Sequence, residues 1–113
     1  TGLEIKNWLR HQRTLYSDIR GAIEQVSSSP QMGVVSAFTF GKGYGHLIGM
    51  LDAFEIPYEF VRPQKWQKAL GCLSKGDKNV TKAAAHRTWP SYKATHADAD
   101  ALLIALWLSG QGN

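Results

Sequence analysis

The sequence predicts a mixed α/β domain, and three observations carry that expectation. Apolar residues recur at helical spacing in several segments, most clearly near the two ends of the chain. Two short runs, over residues 19–26 and 58–61, have the composition of strands. Gly, Pro, Ser and Asp clusters punctuate the boundaries between these segments.

The first segment, Leu3 to about Tyr16, reads as an amphipathic helix. Leu3, Trp8, Leu9 and Leu15 share its broad apolar face, and Lys6, Arg10 and Arg13 stay in water. Ser17-Asp18 ends it with turn chemistry, and residues 19–26 follow as a short strand. Ala22, Ile23 and Val26 supply much of its apolar content, while Glu24 sits mid-strand, where a charge is costly without a partner. A loop over 27–33 leads to a long helix, Val34 to Phe54. Gly41, Gly43, Gly45 and Gly49 each weaken that helix by roughly 1 kcal/mol relative to Ala. They therefore predict close backbone approach to another helix or to a ligand; helix packing, a dimer contact being one form of it, is preferred over phosphate cradling, because the run has neither Walker nor dinucleotide spacing. Phe38 and Phe40 are expected in the core, stacking on unpaired bases being the alternative.

Pro57 introduces the second strand, Tyr58 to Val61, and Pro63 suits the first turn of a short helix ending near Leu70. A flexible connection over 71–76 precedes a helix from about Lys78 to Trp89, which stops before Pro90. The last helix runs from about Asp98 to Leu108 and stops at Gly110. Two strands make a marginal sheet, and the chain opens at Thr1 with no initiator Met. The expectation is one domain, residues 1–113, whose first strands are absent.

A chain of 113 residues supports a single core. Its 43% hydrophobic and 19% charged content argues against disorder. The longest apolar run, Ala101 to Leu108, is too short to span a bilayer, and no basic-then-apolar pattern precedes it, so secretion is not expected. Cys72 is the sole cysteine, which rules out an internal disulfide and fits a reducing compartment. The formal charge of +4 and pI of 9.4 suit a phosphate-bearing partner but do not by themselves select one, since many basic proteins bind no nucleic acid. His11, His46 and His86 lack zinc spacing with one another or with Cys72, and read as structural.

The acidic residues stand out at two places. Glu24 interrupts a strand, and Asp98 and Asp100 open an apolar helix. Helix capping accounts for one Asp well and for two less well. At about 100° per residue, Asp98 and Asp100 point roughly 160° apart if both are helical. His96 and Asp100 share a face if the helix starts early enough. His96 with Asp100, or Asp98 from a non-helical cap with Asp100, are the candidate pairs. Carboxylates gathered from separate elements are what two Mg²⁺ ions need at a phosphodiester.

Ala22-Ile23-Glu24-Gln25-Val26, a Gly-containing helix, Val61-Arg62-Pro63-Gln64-Lys65-Trp66, a Lys-bearing helix and Ala99-Asp100-Ala101-Leu102 follow one another in order. This ordered set resembles the RuvC-type Holliday junction resolvases, over about Ala22 to Trp107. The segment Ala37-Phe38-Thr39-Phe40-Gly41 and the surroundings of Trp66 look most like phage-borne members. The resemblance implies an RNase H-like fold and a homodimer that cuts four-way DNA junctions by two-metal-ion hydrolysis with Mg²⁺ or Mn²⁺. It also implies action in a bacterial cytoplasm, with the protein encoded by the bacterium or by a phage.

Of the family's metal ligands, the Asp of the opening strand has no match here. Glu24 matches the strand glutamate and Asp100 the final aspartate. For the remaining ligand the family places Asp or His three or four residues before the last one. Ala97 and His96 stand at those positions, and Asp98 lies two before Asp100, so His96 is preferred and Asp98 is the alternative. Lys65 and Lys78 fall where the family's DNA-contacting lysines lie, and Lys68 and Lys82 extend that basic set. Without the first Asp, the chain alone is expected to be inactive. The rival expectation is a non-catalytic DNA-binding or dimerisation module of the same fold, and a third is another RNase H-like enzyme such as a transposase.

Overall fold

A computed structural model describes residues 2–16, 18–26 and 30–111. The elements run α1 (Gly2–Leu15), β1 (Gly21–Glu24), α2 (Val34–Ala53), β2 (Tyr58–Val61), α3 (Pro63–Ala69), α4 (Lys78–Thr88) and α5 (His96–Gly110). The two strands pair in parallel, so the mixed α/β expectation holds. Ser17 of the expected turn and residues 27–29 of the expected loop lie outside the described residues.

The chain forms two compact units. One comprises Thr1–Gly21 with Val26–Glu59, and the other Ala22–Gln25 with Phe60–Asn113. In the first, α1 packs on α2, and Leu9, Met50, Leu51 and Ile56 are buried. The expected apolar face of α1 is corrected here. Of its four members only Leu9 is buried, while Leu3, Trp8 and Leu15 are each more than half exposed. Four residues spread over so wide an arc cannot all face one neighbouring helix.

The aromatic core expected on α2 is likewise absent. Phe38 is 73% exposed and Phe40 37%, and the Phe40 ring stacks on Tyr44 one turn along, at 5.8 Å between centroids. The buried residues of α2, Met50 and Leu51, both lie near its carboxyl end. Within the chain, its glycines do not mark close packing. A Cβ added at Gly41, Gly43, Gly45 or Gly49 meets nothing within 4 Å among the described residues.

The second unit holds the main core. Val61, Trp66, Cys72, Ala84, Ala85, Ala94, Ala99, Leu103, Ile104 and Trp107 form one buried cluster. Helix α5 packs against both α4 and α3. Small residues make that packing close: Ala84, Ala85 and Ala99 bury almost all their surface.

Several element boundaries shift from those the sequence suggests. Strand β1 is shorter than residues 19–26, because its partner β2 offers only the four residues Tyr58–Val61. The pairing continues one step past β1, where the Gln25 N–H donates to the Val61 carbonyl at 2.8 Å. Glu24 is thus the last strand residue rather than a middle one. Helix α5 begins at His96, two residues earlier than expected, because Thr95 supplies the cap.

Candidate functional site

The second unit contains a cleft of ≈ 420 Å³ whose lining includes Glu24, Gln67, Ser74, Lys75, Lys78 and Asp100. Four separate stretches of sequence meet there: the end of β1, helix α3, the start of α4 with the connection before it, and the first turns of α5. Each arrives for a local reason.

Glu24 enters as the last residue of β1. Its Oε2 accepts a 2.8 Å hydrogen bond from the indole Nε1 of Trp66. Trp66 is fully buried, and a buried indole N–H needs an acceptor. The carboxylate satisfies the ring, and the ring fixes the carboxylate. Sequence reasoning singled out Trp66 without giving it this role. A donor-only ring in the apolar turn of an otherwise polar helix was the available signal.

One wall of the cleft is the connection from Leu73 to Gly76. It is anchored by Gln67, itself buried, whose Oε1 accepts from the Ser74 N–H and the Ser74 hydroxyl, both at 3.1 Å. Lys75 and Gly76 are consecutive left-handed residues, at φ 52° and 91°. The Asp77 N–H closes the turn onto the Ser74 carbonyl at 3.0 Å. Positive φ at both central residues is the signature of a tight I′ turn. Asp77 then caps α4, accepting from the Asn79 N–H at 3.0 Å.

Asp98 and Asp100 divide the two roles that their spacing left open. Thr95 caps α5, and its hydroxyl oxygen accepts the Asp98 N–H at 3.3 Å. The Asp98 carboxylate accepts in return from the Thr95 hydroxyl and, at 2.8 Å, from the Tyr92 hydroxyl. These bonds, the one from Thr95 first, hold the Asp98 carboxyl below its ordinary range. This is a reciprocal capping box, and Asp98 does not line the cleft. Asp100 lies on the other side of the helix and does line it. Its Oδ1 is buried and has no hydrogen-bond partner among the described residues. A buried, unsatisfied carboxylate oxygen is costly unless something occupies the space before it.

His96 also stands apart from the cleft lining. It is exposed, and its Nε2 lies 3.2 Å from Asn79 Oδ1. The structure therefore brings together Glu24 and Asp100 in one cleft, and places the two alternatives for the additional ligand, His96 and Asp98, in other contacts.

The basic residues separate in the same way. Lys78 lines the cleft, and Lys82, one turn along α4, lines a second, more open groove of ≈ 340 Å³. The Lys65 ammonium sits 5.8 Å from the centre of the Trp107 ring, within cation–π range. Lys68 is exposed in the last turn of α3. His11, His46 and His86 are all exposed. Cys72 is buried, which pushes its thiol up from the ordinary range; the Arg87 charge opposes the shift and the Asp100 charge adds to it.

Oxygen ligands from separate elements form a hard donor set of the kind Mg²⁺ takes, and an orphaned buried oxygen is a place for such an ion. Glu24 and Asp100 fit that requirement in part. Among the described residues no group of three or more His, Cys, Asp or Glu converges on one point. No described helix is long and apolar enough to cross a membrane. No protein-family model matches the chain, and no curated protein is similar enough to it to count as a relative.

Proposed function

We propose that this chain carries part of a Mg²⁺- or Mn²⁺-dependent endonuclease site of the RNase H-like, RuvC type, acting on four-way DNA junctions as a homodimer. One observation carries the reading: Glu24 and Asp100 line the same cleft, and Asp100 presents a buried oxygen without a partner. These are the two residues that the resemblance matches to the family's metal ligands. Glu24 and Asp100 would hold the ion, and the ion would supply a polarised water and charge neutralisation at a phosphodiester. Trp66 keeps the Glu24 carboxylate oriented toward that task. Lys78, on the same cleft, gives a phosphate a positive contact without reading bases.

Mn²⁺ titration followed by water-proton relaxation tests the reading. The unmodified chain should bind the ion, and Asp100→Asn or Glu24→Gln should weaken binding at least about ten-fold. Equal binding by all three proteins would sink the metal site.

A second reading, a DNA-binding module without catalysis, draws support from the positions of His96 and Asp98 outside the cleft. Junction binding indifferent to Glu24→Gln and Asp100→Asn, with no cleavage in Mg²⁺, would favour it.

A further inference from the structure

Glu24 and Trp66 meet through one bond whose two ends differ in freedom. The Trp66 ring is 0% exposed and packs in the buried cluster with Val61, Leu103 and Trp107. A ring so enclosed holds its orientation, and its only polar group is a donor. Glu24 Oε2 accepts from that donor at 2.8 Å. Without this acceptor the N–H would be buried and unmet, which is costly. Oε2 is therefore held by the core rather than by the cleft.

Neutral oxygens on the cleft wall are held as well. Gln67 is buried, and its Oε1 accepts from the Ser74 N–H and the Ser74 hydroxyl, both at 3.1 Å. The Ser74 hydroxyl oxygen accepts in turn from the Gly76 N–H at 3.4 Å. Asp100 differs, since its Oδ1 is buried and has no hydrogen-bond partner among the described residues. Glu24 and Asp100 are the acidic residues of the lining, and among the described residues no group of three or more His, Cys, Asp or Glu forms around them.

Such a lining discriminates between cations by the number of oxygens it can spare. Ca²⁺ takes about six to eight oxygens in a flexible shell, and a carboxylate can give it both of its own. Mg²⁺ takes about six in a strict octahedron, keeps several waters and is satisfied by few carboxylates. Mn²⁺ shares the octahedral preference for oxygen. A two-oxygen grip by Glu24 would have to draw Oε2 off the indole and strand a donor in the core.

We propose that Trp66 sets the cation selectivity of this cleft: its hold on Oε2 keeps Glu24 to a single-oxygen contact, and so favours Mg²⁺ and Mn²⁺ over Ca²⁺. The inference rests on the metal reading of the cleft and gives Trp66 a role beyond orienting the carboxylate. Trp66 is a positioning residue, acting on the ion through Glu24.

The test is Mn²⁺ binding to the whole chain, read by water-proton relaxation, with Mg²⁺ and Ca²⁺ as competitors. In the unmodified chain Ca²⁺ should displace Mn²⁺ less readily than Mg²⁺ does, by about ten-fold or more. Trp66→Phe removes the N–H and should narrow that gap by about ten-fold, the size of effect a single outer partner has on a ligand. Trp107→Phe takes a similar ring from the same cluster and should leave the gap as it is. A merely structural loss lowers binding of both competitors together and does not move their ratio. A benzothiophene analogue of tryptophan at position 66, with sulfur in place of the N–H at nearly the same volume, should act as Trp66→Phe does and carries the test if that variant fails to fold. Ca²⁺ competing as well as Mg²⁺ in the unmodified chain overturns the proposal. So does a gap that survives loss of the indole N–H, or one that Trp107→Phe narrows equally. Absence of Mn²⁺ binding to the unmodified chain sinks the metal reading itself, whereas Mn²⁺ binding with an unchanged gap sinks the selectivity alone.

Discussion

The two compact units solve the same folding problem with different means. The unit built from α3, α4, α5 and the strand ends gathers its apolar residues into one cluster. Side chains cap two of its helices, Asp77 on α4 and Thr95 on α5. The unit built from α1 and α2 exposes Leu3, Ile5, Trp8, Val34, Val35 and Phe38, and α2 starts at Gly33 without a side-chain cap. Both helix ends show the contrast in one motif. Helix α3 closes with the Gly71 N–H on the Lys68 carbonyl and the Cys72 N–H on the Gln67 carbonyl. Helix α2 closes with the same pair, Glu55 on Asp52 and Ile56 on Leu51. The left-handed position is Gly71, φ 70°, in one and Glu55, φ 56°, in the other. The lesson is that the candidate site is built on the unit where local and tertiary preferences agree.

The largest expected difference lies in the cores. Leu103 is 1% exposed and Leu3 61%. Leu103→Ala should cost about 2–5 kcal/mol of unfolding free energy, and Leu3→Ala should stay within about 0.5 kcal/mol. Denaturant melts of both variants check this, and comparable losses would break the contrast.

Next come the two helix ends. Gly71→Ala places a Cβ in a left-handed backbone and should destabilise by about 1 kcal/mol, whereas Glu55→Gly relieves the same strain and should stabilise by a similar amount. Opposite shifts in midpoint are the expected result. Caps come after that. Thr95→Ala should cost about 1 kcal/mol, while Gly33→Asp should gain a few tenths. Failure of Thr95→Ala to move the midpoint would remove the capping account of Asp98.

Much of the fold was legible because its signals are local. Pro63 at the start of α3, Pro90 after α4 and strand β2 were placed by punctuation and composition alone. The exposure of Phe38 was not legible, since an apolar helix reads as buried whether or not the chain supplies a neighbour. The pairing of Glu24 with Asp100 came from the order of motifs, and the two residues line one cleft. What the sequence left open was whether His96 or Asp98 accompanies Asp100. A side-chain cap one residue before the helix engages Asp98 instead, and Thr95 gave little warning of it. The Trp66 bond to Glu24 joins residues forty-two positions apart, and no local pattern encodes it.

The smallest effects concern a polar pair that each unit has. Tyr58 donates to Asp52 in one and Tyr92 to Asp98 in the other, both at 2.8 Å. Each tyrosine is pushed up from its ordinary range, chiefly by the bond to its aspartate. A raised acid contributes stability that is present below its unfolded value, about 10, and is lost as pH rises through the folded one. Tyr58→Phe and Tyr92→Phe should each flatten the alkaline limb of stability against pH. Asp98 runs the other way. Its lowered value adds stability above the unfolded value, about 4, that disappears as pH falls through the folded one. Asp98→Asn should therefore flatten the acid limb. Tyr92→Phe should do so only in part, because the Thr95 hydroxyl, the larger cause, remains. Melts between acid and neutral pH decide it: an acid limb equally steep in the unmodified chain and in Asp98→Asn would mean that the cap and the tyrosine leave Asp98 as it is in the unfolded chain.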